Sequence, residues 1–249
     1  MTGCMRPEIH INTDVLARQA ARYLTELSRE AIRSSGRFTL VLSGGSTPKG
    51  LYKKLTEPEC SDKLNWNSIH IFWGDERCVP PDHPESNYRM ALESFIDHVP
   101  LPPRNVHRIQ GETQPQEAAI AYEKKLKTFF FPGHVEPPGV PGFDLILLGM
   151  GDDGHTVSLF PKAAALHEQS RWVVAHHVEK LRSWRVTLTP RVINAAHDVL
   201  FLVSGRDKAR CLKKVLQGPY RPDELPAQVI RPASGRLMWM LDVEAAHLL

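Results

Sequence analysis

The stretch Phe38-Thr39-Leu40-Val41-Leu42-Ser43-Gly44-Gly45-Ser46-Thr47-Pro48 decides the fold. Its first five residues read as a buried strand, and the glycine pair then turns the chain tightly. Thr47 followed by Pro48 reads as a helix N-cap and first helical position, and Leu51, Tyr52 and Leu55 continue at helical spacing. The unit is strand, glycine turn, helix. Upstream, Val15, Leu16, Ala20, Leu24, Leu27, Ala31 and Ile32 recur at helical spacing within Thr13 to Ser35, with Asn12 or Thr13 to cap the start and Gly36 to end it.

Downstream the same alternation repeats. Strands are predicted at Ile69–Trp73, Val106–Ile109, Phe143–Leu148, Trp172–Val178, Arg185–Leu188, Val199–Val203 and Leu237–Leu241, and helices at Ser86–Val99, Gln116–Phe130 and Lys208–Leu216. Phe143–Leu148 is apolar on both faces, as a central parallel strand should be. Strands alternating with helices indicate an α/β protein whose mostly parallel sheet is flanked by helices. With no internal repeat and no long linker, the whole of 1–249 is expected to be one domain.

Composition narrows the function classes. Lys and Arg number 31 against 28 Asp and Glu, a formal charge of +3 with both signs interspersed, so no basic stripe offers itself to nucleic acid. No apolar run approaches the ~20 residues of a membrane span, and the first residues lack the apolar region of a signal peptide. Cys4, Cys60, Cys78 and Cys211 form no CxxC pair, which argues against a thiolate zinc site or a disulfide scaffold and for a reducing compartment, the cytoplasm. The 20 prolines cluster in loops such as Pro100–Pro103 and Pro132–Pro141.

In open α/β sheets, ligands bind beyond the carboxyl ends of the strands. Four polar, glycine-bearing loops lie at those ends: Ser43–Pro48, Gly74–Arg77, Gly149–His155 and Ser204–Lys208. In the first, Gly44 and Gly45 precede a helix N-terminus, and Ser43, Ser46 and Thr47 add hydroxyls. A plain strand-to-helix turn would need none of these donors, whereas an anion site would. It is not a Walker loop, because Gly50 is followed by Leu51, nor a nucleophile elbow, because Pro48 stands where that motif needs glycine.

Gly149-Met150-Gly151-Asp152-Asp153-Gly154 matches G-x-G-x-x-G formally, but two carboxylates inside the loop would repel a pyrophosphate. What the loop offers is Asp152, Asp153 and His155 within four residues, a histidine suited to general-base work with a carboxylate beside it that can fix its tautomer. Arg77 is either a surface ion-pair partner of Asp75 or Glu76, or a fixed charge for a developing oxyanion. Lys208 and Arg185 are either solvated cations or phosphate ligands. Metal chemistry finds no HExxH or HxH, and His176 and His177 on one strand point to opposite faces.

Leu42 to Pro48, Trp73-Gly74-Asp75-Glu76-Arg77 with Ser86-Asn87-Tyr88, Phe143 to Thr156 ending in Ser158-Leu159-Phe160-Pro161, and Arg185 to Thr189 together resemble the 6-phosphogluconolactonase family. Leu225 to Gln228, Trp239 and Asp242 fit the same pattern, and the match covers about residues 10 to 247. The resemblance implies a Rossmann-like sheet shared with glucosamine-6-phosphate deaminase. It also implies hydrolysis of 6-phospho-D-glucono-1,5-lactone, the second step of the oxidative pentose phosphate pathway, by a monomer needing no metal or other cofactor.

It further implies that His155 activates water, that Gly44, Gly45, Ser46 and Thr47 with Arg185 and Lys208 hold the 6-phosphate, and that Arg77 and Asp75 line the lactone end. Whether Asp75 or Asp153 orients His155 stays open. Val157 departs from the pattern, where alanine is expected more often. A deaminase would continue Ala-Phe-Asn-Glu where this chain has Val157-Ser158-Leu159-Phe160-Pro161, without the acid. A non-catalytic sugar-phosphate sensor would have no need of His155 and Asp153.

Overall fold

The computed structural model describes residues 7–249, so Cys4 and the leading residues read for a signal peptide lie outside the described residues. A short strand, β1 (Glu8–His10), precedes α1 (Thr13–Ser35). The helix is capped by Asn12, whose side chain accepts from Val15 N at 2.9 Å, and it ends on Gly36 at φ 78°. β2 (Phe38–Leu42) then turns into α2 (Ser46–Leu55). This helix begins before the predicted cap: Gly45, at φ 108°, is the N-cap, and Pro48 is the third helical residue. Proline is tolerated there because the first N–H groups of a helix have no helical partner to lose.

The chain continues through α3 (Pro58–Ser61), β3 (Ile69–Trp73), β4 (Asp75–Arg77), α4 (Asn87–Ser94), β5 (Val106–His107) and α5 (Pro115–Phe130). Next come β6 (Leu145–Leu148), β7 (Val173–Val178), β8 (Ser183–Leu188), α6 (Pro190–Ile193) and β9 (Asp198–Val203). The last elements are α7 (Ala209–Gln217), β10 (Arg236–Asp242) and α8 (Val243–Ala246).

Seven strands form one sheet in the order β1-β10-β9-β6-β2-β3-β5, and every neighbouring pair is parallel. The central strands β2, β6 and β9 are buried at every residue, so layers cover both faces of the sheet. Burying one large apolar side chain contributes about 1.5–3 kcal/mol, against about 0–1 kcal/mol for an exposed ion pair. Side chains such as Phe38, Leu40, Phe72 and Phe201, buried at the sheet, therefore dominate stability. After β2 the chain moves to β3 on one side, and after β6 it moves to β9 on the other. The loops leaving β2 and β6 therefore part, and such a switch point opens a crevice.

One expectation is corrected. The segments predicted at 172–178 and 185–188 do not join the parallel sheet. They pair antiparallel as β7 and β8, with β4 on the other edge of β8, in a second sheet ordered β4-β8-β7. Asp75–Arg77, read from sequence as loop, is a strand of that sheet. Gly74 is the joint between the two sheets: its N–H donates to Leu42 O at 3.0 Å, and its carbonyl accepts from Leu188 N at 2.8 Å. A Cβ there would press on Val157 Cγ1 at 2.9 Å.

Candidate active site

Two buried tyrosines end the central strands. Tyr52 Oη accepts from Ser43 N at 2.9 Å and donates to Ser43 O at 2.7 Å, just past β2. Tyr122 Oη accepts from Trp73 N at 2.9 Å and donates to Trp73 O at 3.0 Å, at the end of β3. Burial pushes both phenols up, so they stay protonated donors. Each satisfies backbone groups that leave the ladder, and the chain is freed to bend into the crevice.

The crevice holds a cavity of about 260 Å³. Gly44, Gly45, Ser46 and Thr47 form one wall, where the start of α2 leaves N–H groups without helical partners. Gly44 is obligatory, because a Cβ would overlap the Asn87 carboxamide. Thr47 Oγ1 lies 2.7 Å from Ser204 Oγ, tying this wall to the loop after β9. That loop is held by Asp242, which accepts from Gly205 N at 3.1 Å and from Ala245 N at 2.7 Å. It presents Lys208 to the cavity, paired with Asp207 at 2.9 Å.

His155 lines the opposite wall. Its Nδ1 lies 2.5 Å from Asp153 Oδ1, and its ring stacks on Phe160 at a centroid distance of 4.3 Å. A carboxylate can only accept, so Nδ1 carries a proton, and in the neutral ring the lone pair is then on Nε2. The bond from His155, with Lys180 adding, holds the Asp153 carboxyl well below the usual range. A Cβ on Gly151 would overlap the His155 ring, so glycine is what lets the two side chains fold back over their own loop. Asp153 itself stands behind His155 and does not line the cavity. Of the two carboxylates that sequence left open, Asp153 is the one bonded to His155.

Asp75 has other partners. Its Oδ2 accepts from Ser158 Oγ at 2.6 Å and its Oδ1 from Asn87 Nδ2 at 3.3 Å, and it lines the cavity beside Arg77. Arg77 donates from Nη1 to Glu85 O at 2.5 Å, while its Nε is buried without a partner. An orphaned buried donor costs about 1–3 kcal/mol, a cost that a bound acceptor would remove. Glu76 faces away: it accepts from Asn87 N at 2.7 Å, Tyr88 N at 2.8 Å and Ser86 Oγ at 3.2 Å, anchoring the start of α4.

Arg185 is not brought to the cavity wall. It is buried opposite Arg77 in the β4–β8 register and donates to Ser183 Oγ and to Trp184 O. Burial first, then the Arg77 charge, pushes its guanidinium below its ordinary value. Asn87, Met150, Thr156, Val157 and Ser204 line the cavity without having been singled out as site residues. Asn87 had a signal, since its short motif follows the Arg77 strand. Val157 takes φ 44°, a left-handed conformation that a β-branched residue rarely adopts. His176 Nε2 donates to Ser158 O at 2.7 Å, and His177 engages Glu179, so the two point apart. Among the described residues, no group of three or more His, Cys, Asp or Glu side chains is placed to hold a metal ion.

Residues 11–239 match the model of the family described as glucosamine-6-phosphate isomerases/6-phosphogluconolactonase. A 6-phosphogluconolactonase of Synechocystis is 41% identical over 246 residues, covering 98% of each chain, and one from Haemophilus influenzae is 40% identical over 84% of this chain and 86% of its own. The solved 6-phosphogluconolactonase from Trypanosoma cruzi superposes with a TM-score of 0.84 at 30% identity, over 98% of this chain and 97% of its own. A monomeric glucosamine-6-phosphate deaminase shares the fold, with a TM-score of 0.82 at 22% identity, over 98% of this chain and all of its own. The chain belongs to the glucosamine-6-phosphate isomerase/6-phosphogluconolactonase family.

Proposed function

We propose that the protein hydrolyses 6-phospho-D-glucono-1,5-lactone to 6-phospho-D-gluconate, the second step of the oxidative pentose phosphate pathway. The observation that carries this reading is a neutral-base arrangement facing an anion cradle. His155 is held by Asp153 on one wall of the cavity, with the Gly44–Thr47 turn and Lys208 on the others. Relatives named 6-phosphogluconolactonase, alike over nearly the whole chain, support the same substrate.

On this reading the 6-phosphate lies on the N–H groups and hydroxyls of Ser46 and Thr47, with Lys208 supplying the cation. Fixing the remote phosphate orients the lactone ring, so binding energy is spent on position rather than on a tighter ground state. His155 Nε2 takes a proton from water, whose oxygen bonds to C1. Arg77 stabilises the oxyanion that forms there, using donors that include the unpartnered Nε. Asp75 borders the lactone end. The intermediate collapses as the bond from C1 to the ring oxygen breaks, and His155 returns its proton to that oxygen. Arg185 contributes positive potential from behind Arg77 to the anionic ligand.

A deaminase reading would call for an acid in the segment after Thr156, where Phe160 instead stacks on His155. The unpaired Cys60, Cys78 and Cys211 suit a cytoplasmic enzyme. The test compares phosphorylated and unphosphorylated gluconolactone, following acid release above the spontaneous rate. Lys208→Ala should raise KM for the phosphorylated lactone about tenfold or more, the weight of one charge-assisted bond, and change the other substrate little. Equal effects on both would remove Lys208 from the phosphate, and no rate above background would sink the activity.

A further inference from the structure

Lys180 stands outside every motif of the sequence. It sits at the tip of the β7–β8 hairpin, in the turn 179–182 that the register of Val178 with Ser183 leaves between the strands. From there its Nζ donates to Asp153 Oδ2 at 3.2 Å, while Asp153 Oδ1 holds His155 Nδ1 at 2.5 Å. We propose that Lys180 is a positioning residue for His155, acting through Asp153: it fixes the direction in which the carboxylate faces and limits how basic the imidazole becomes. The proposal rests on His155 being the base of the lactonase reaction.

The reasoning starts from what a lone carboxylate would do. Beside an imidazole it favours the imidazolium, which has no lone pair to take a proton from water. Its Oδ1 also accepts from the His155 backbone N–H at 3.2 Å, but with Oδ2 unengaged the carboxylate can still pivot about that oxygen and weaken the Nδ1–H···Oδ1 contact. An ammonium on Oδ2 answers both difficulties, because it offsets the negative charge and leaves the carboxylate bonded at both ends. The lysine side chain is 66% exposed, and such a pair adds little to folding. Its weight falls on the proton affinity of His155.

The surrounding charges do not duplicate it. Within the cavity, His155 shares walls with Lys208, Arg77 and Asp75, whose hydrogen bonds and ion pairs go to Asp207, Glu85, Ser158 and Asn87. On the outer side, Asp153 borders a groove where Arg206, Arg210 and Lys214 are offset by Asp152, Asp207 and Glu224. Cys211, also there, has its thiol raised by burial and is uncharged at neutral pH. On the hairpin, Glu179 is engaged by His177. Among the described residues, Lys180 is the one lysine or arginine in an ion pair with Asp153, whose other contact is the His155 imidazole.

The experiment compares wild type, Lys180→Met and Lys180→Arg by two readouts. An NMR titration of the His155 imidazole needs no substrate, and the pH profile of kcat/KM reads the same proton in turnover. In Lys180→Met the His155 titration should move up by about half a unit, as for loss of one partly screened charge. The acid limb of the rate profile should move with it, and Lys180→Arg should restore both. High salt should push the wild type in the same direction as Lys180→Met. A His155 titration that stays in place in folded Lys180→Met overturns the proposal, whether or not the rate falls. Should wild type fail to hydrolyse the lactone, the functional reading fails on its own, and the His155 titration still decides what Lys180 does.

Discussion

His155 can act as a base only while Nε2 keeps its lone pair, and that is decided at the other end of the ring. Asp153 accepts the hydrogen bond from Nδ1–H, and Gly151 leaves the room in which the contact forms. His155→Ala should therefore fold normally, since the ring is partly exposed at the cavity wall, and lose about 10²–10⁴-fold in kcat, the usual contribution of a general base. Near-normal kcat in a folded variant would remove His155 from the chemistry. Much at this scale was legible in the sequence, because His155, Gly44 and Lys208 sit in loops directly after strands. Which acid serves His155 was not: Asp75 and Asp153 both flank strand ends, and only the fold shows Asp75 taken by Ser158 and Asn87. Lys180 left no signal, because a lysine in a polar hairpin tip reads as solvated.

At the scale of elements, the turn after β2 depends on a helix that comes after it. Tyr52, nearly two turns into α2, reaches back to both backbone groups of Ser43. Tyr52→Phe leaves that N–H and carbonyl buried without partners, which should cost about 1–3 kcal/mol in a denaturant melt. Because the same turn carries Gly44 and Gly45, KM for the phosphorylated lactone should rise as well. A variant with unchanged stability and KM would show that the turn holds its shape without the phenol. Six of the seven parallel strands were legible from their apolar runs, and so were the caps of α1, whereas the three-residue edge strand β1 carries no such run. The second sheet was not, for a physical reason. Asp75, Glu76 and Arg77 show no apolar alternation, because their side chains serve the cavity and the start of α4, and their pairing with β8 is set by backbone hydrogen bonds across more than a hundred residues of sequence. The start of α2 was misplaced for a related reason: a proline can stand anywhere in a first turn, so its position marks the end of the helix only loosely.

For the whole molecule, pH acts on stability at the sheet edge. His70 Nδ1 and His107 Nε2 are 3.2 Å apart where β3 meets the edge strand β5, packed with Phe72 and Phe129. Burial pushes both rings down, His107 to about 4, and the neighbouring Arg37 and Arg104 add to the effect at His70. Both are thus held neutral when folded, whereas in the unfolded chain they take protons near pH 6.5. The unfolded state then binds more protons between about pH 6.5 and 4, so the stability these rings contribute is full above that window and lost as pH falls through it. Glu76 works in the opposite sense, since burial raises its carboxyl: it favours the folded state at low pH and less so as pH climbs above the ordinary carboxylate range. His107→Phe keeps an aromatic ring against Phe72 and removes one titrating group. Its unfolding free energy should consequently fall less steeply on acidification, by on the order of 1–2 kcal/mol between pH 7 and pH 4 relative to wild type once solvent screening of the partly exposed ring is allowed for. Denaturant melts of the two proteins across that range measure the difference, and parallel curves would mean that His107 takes up its proton as readily in the fold as in the unfolded chain.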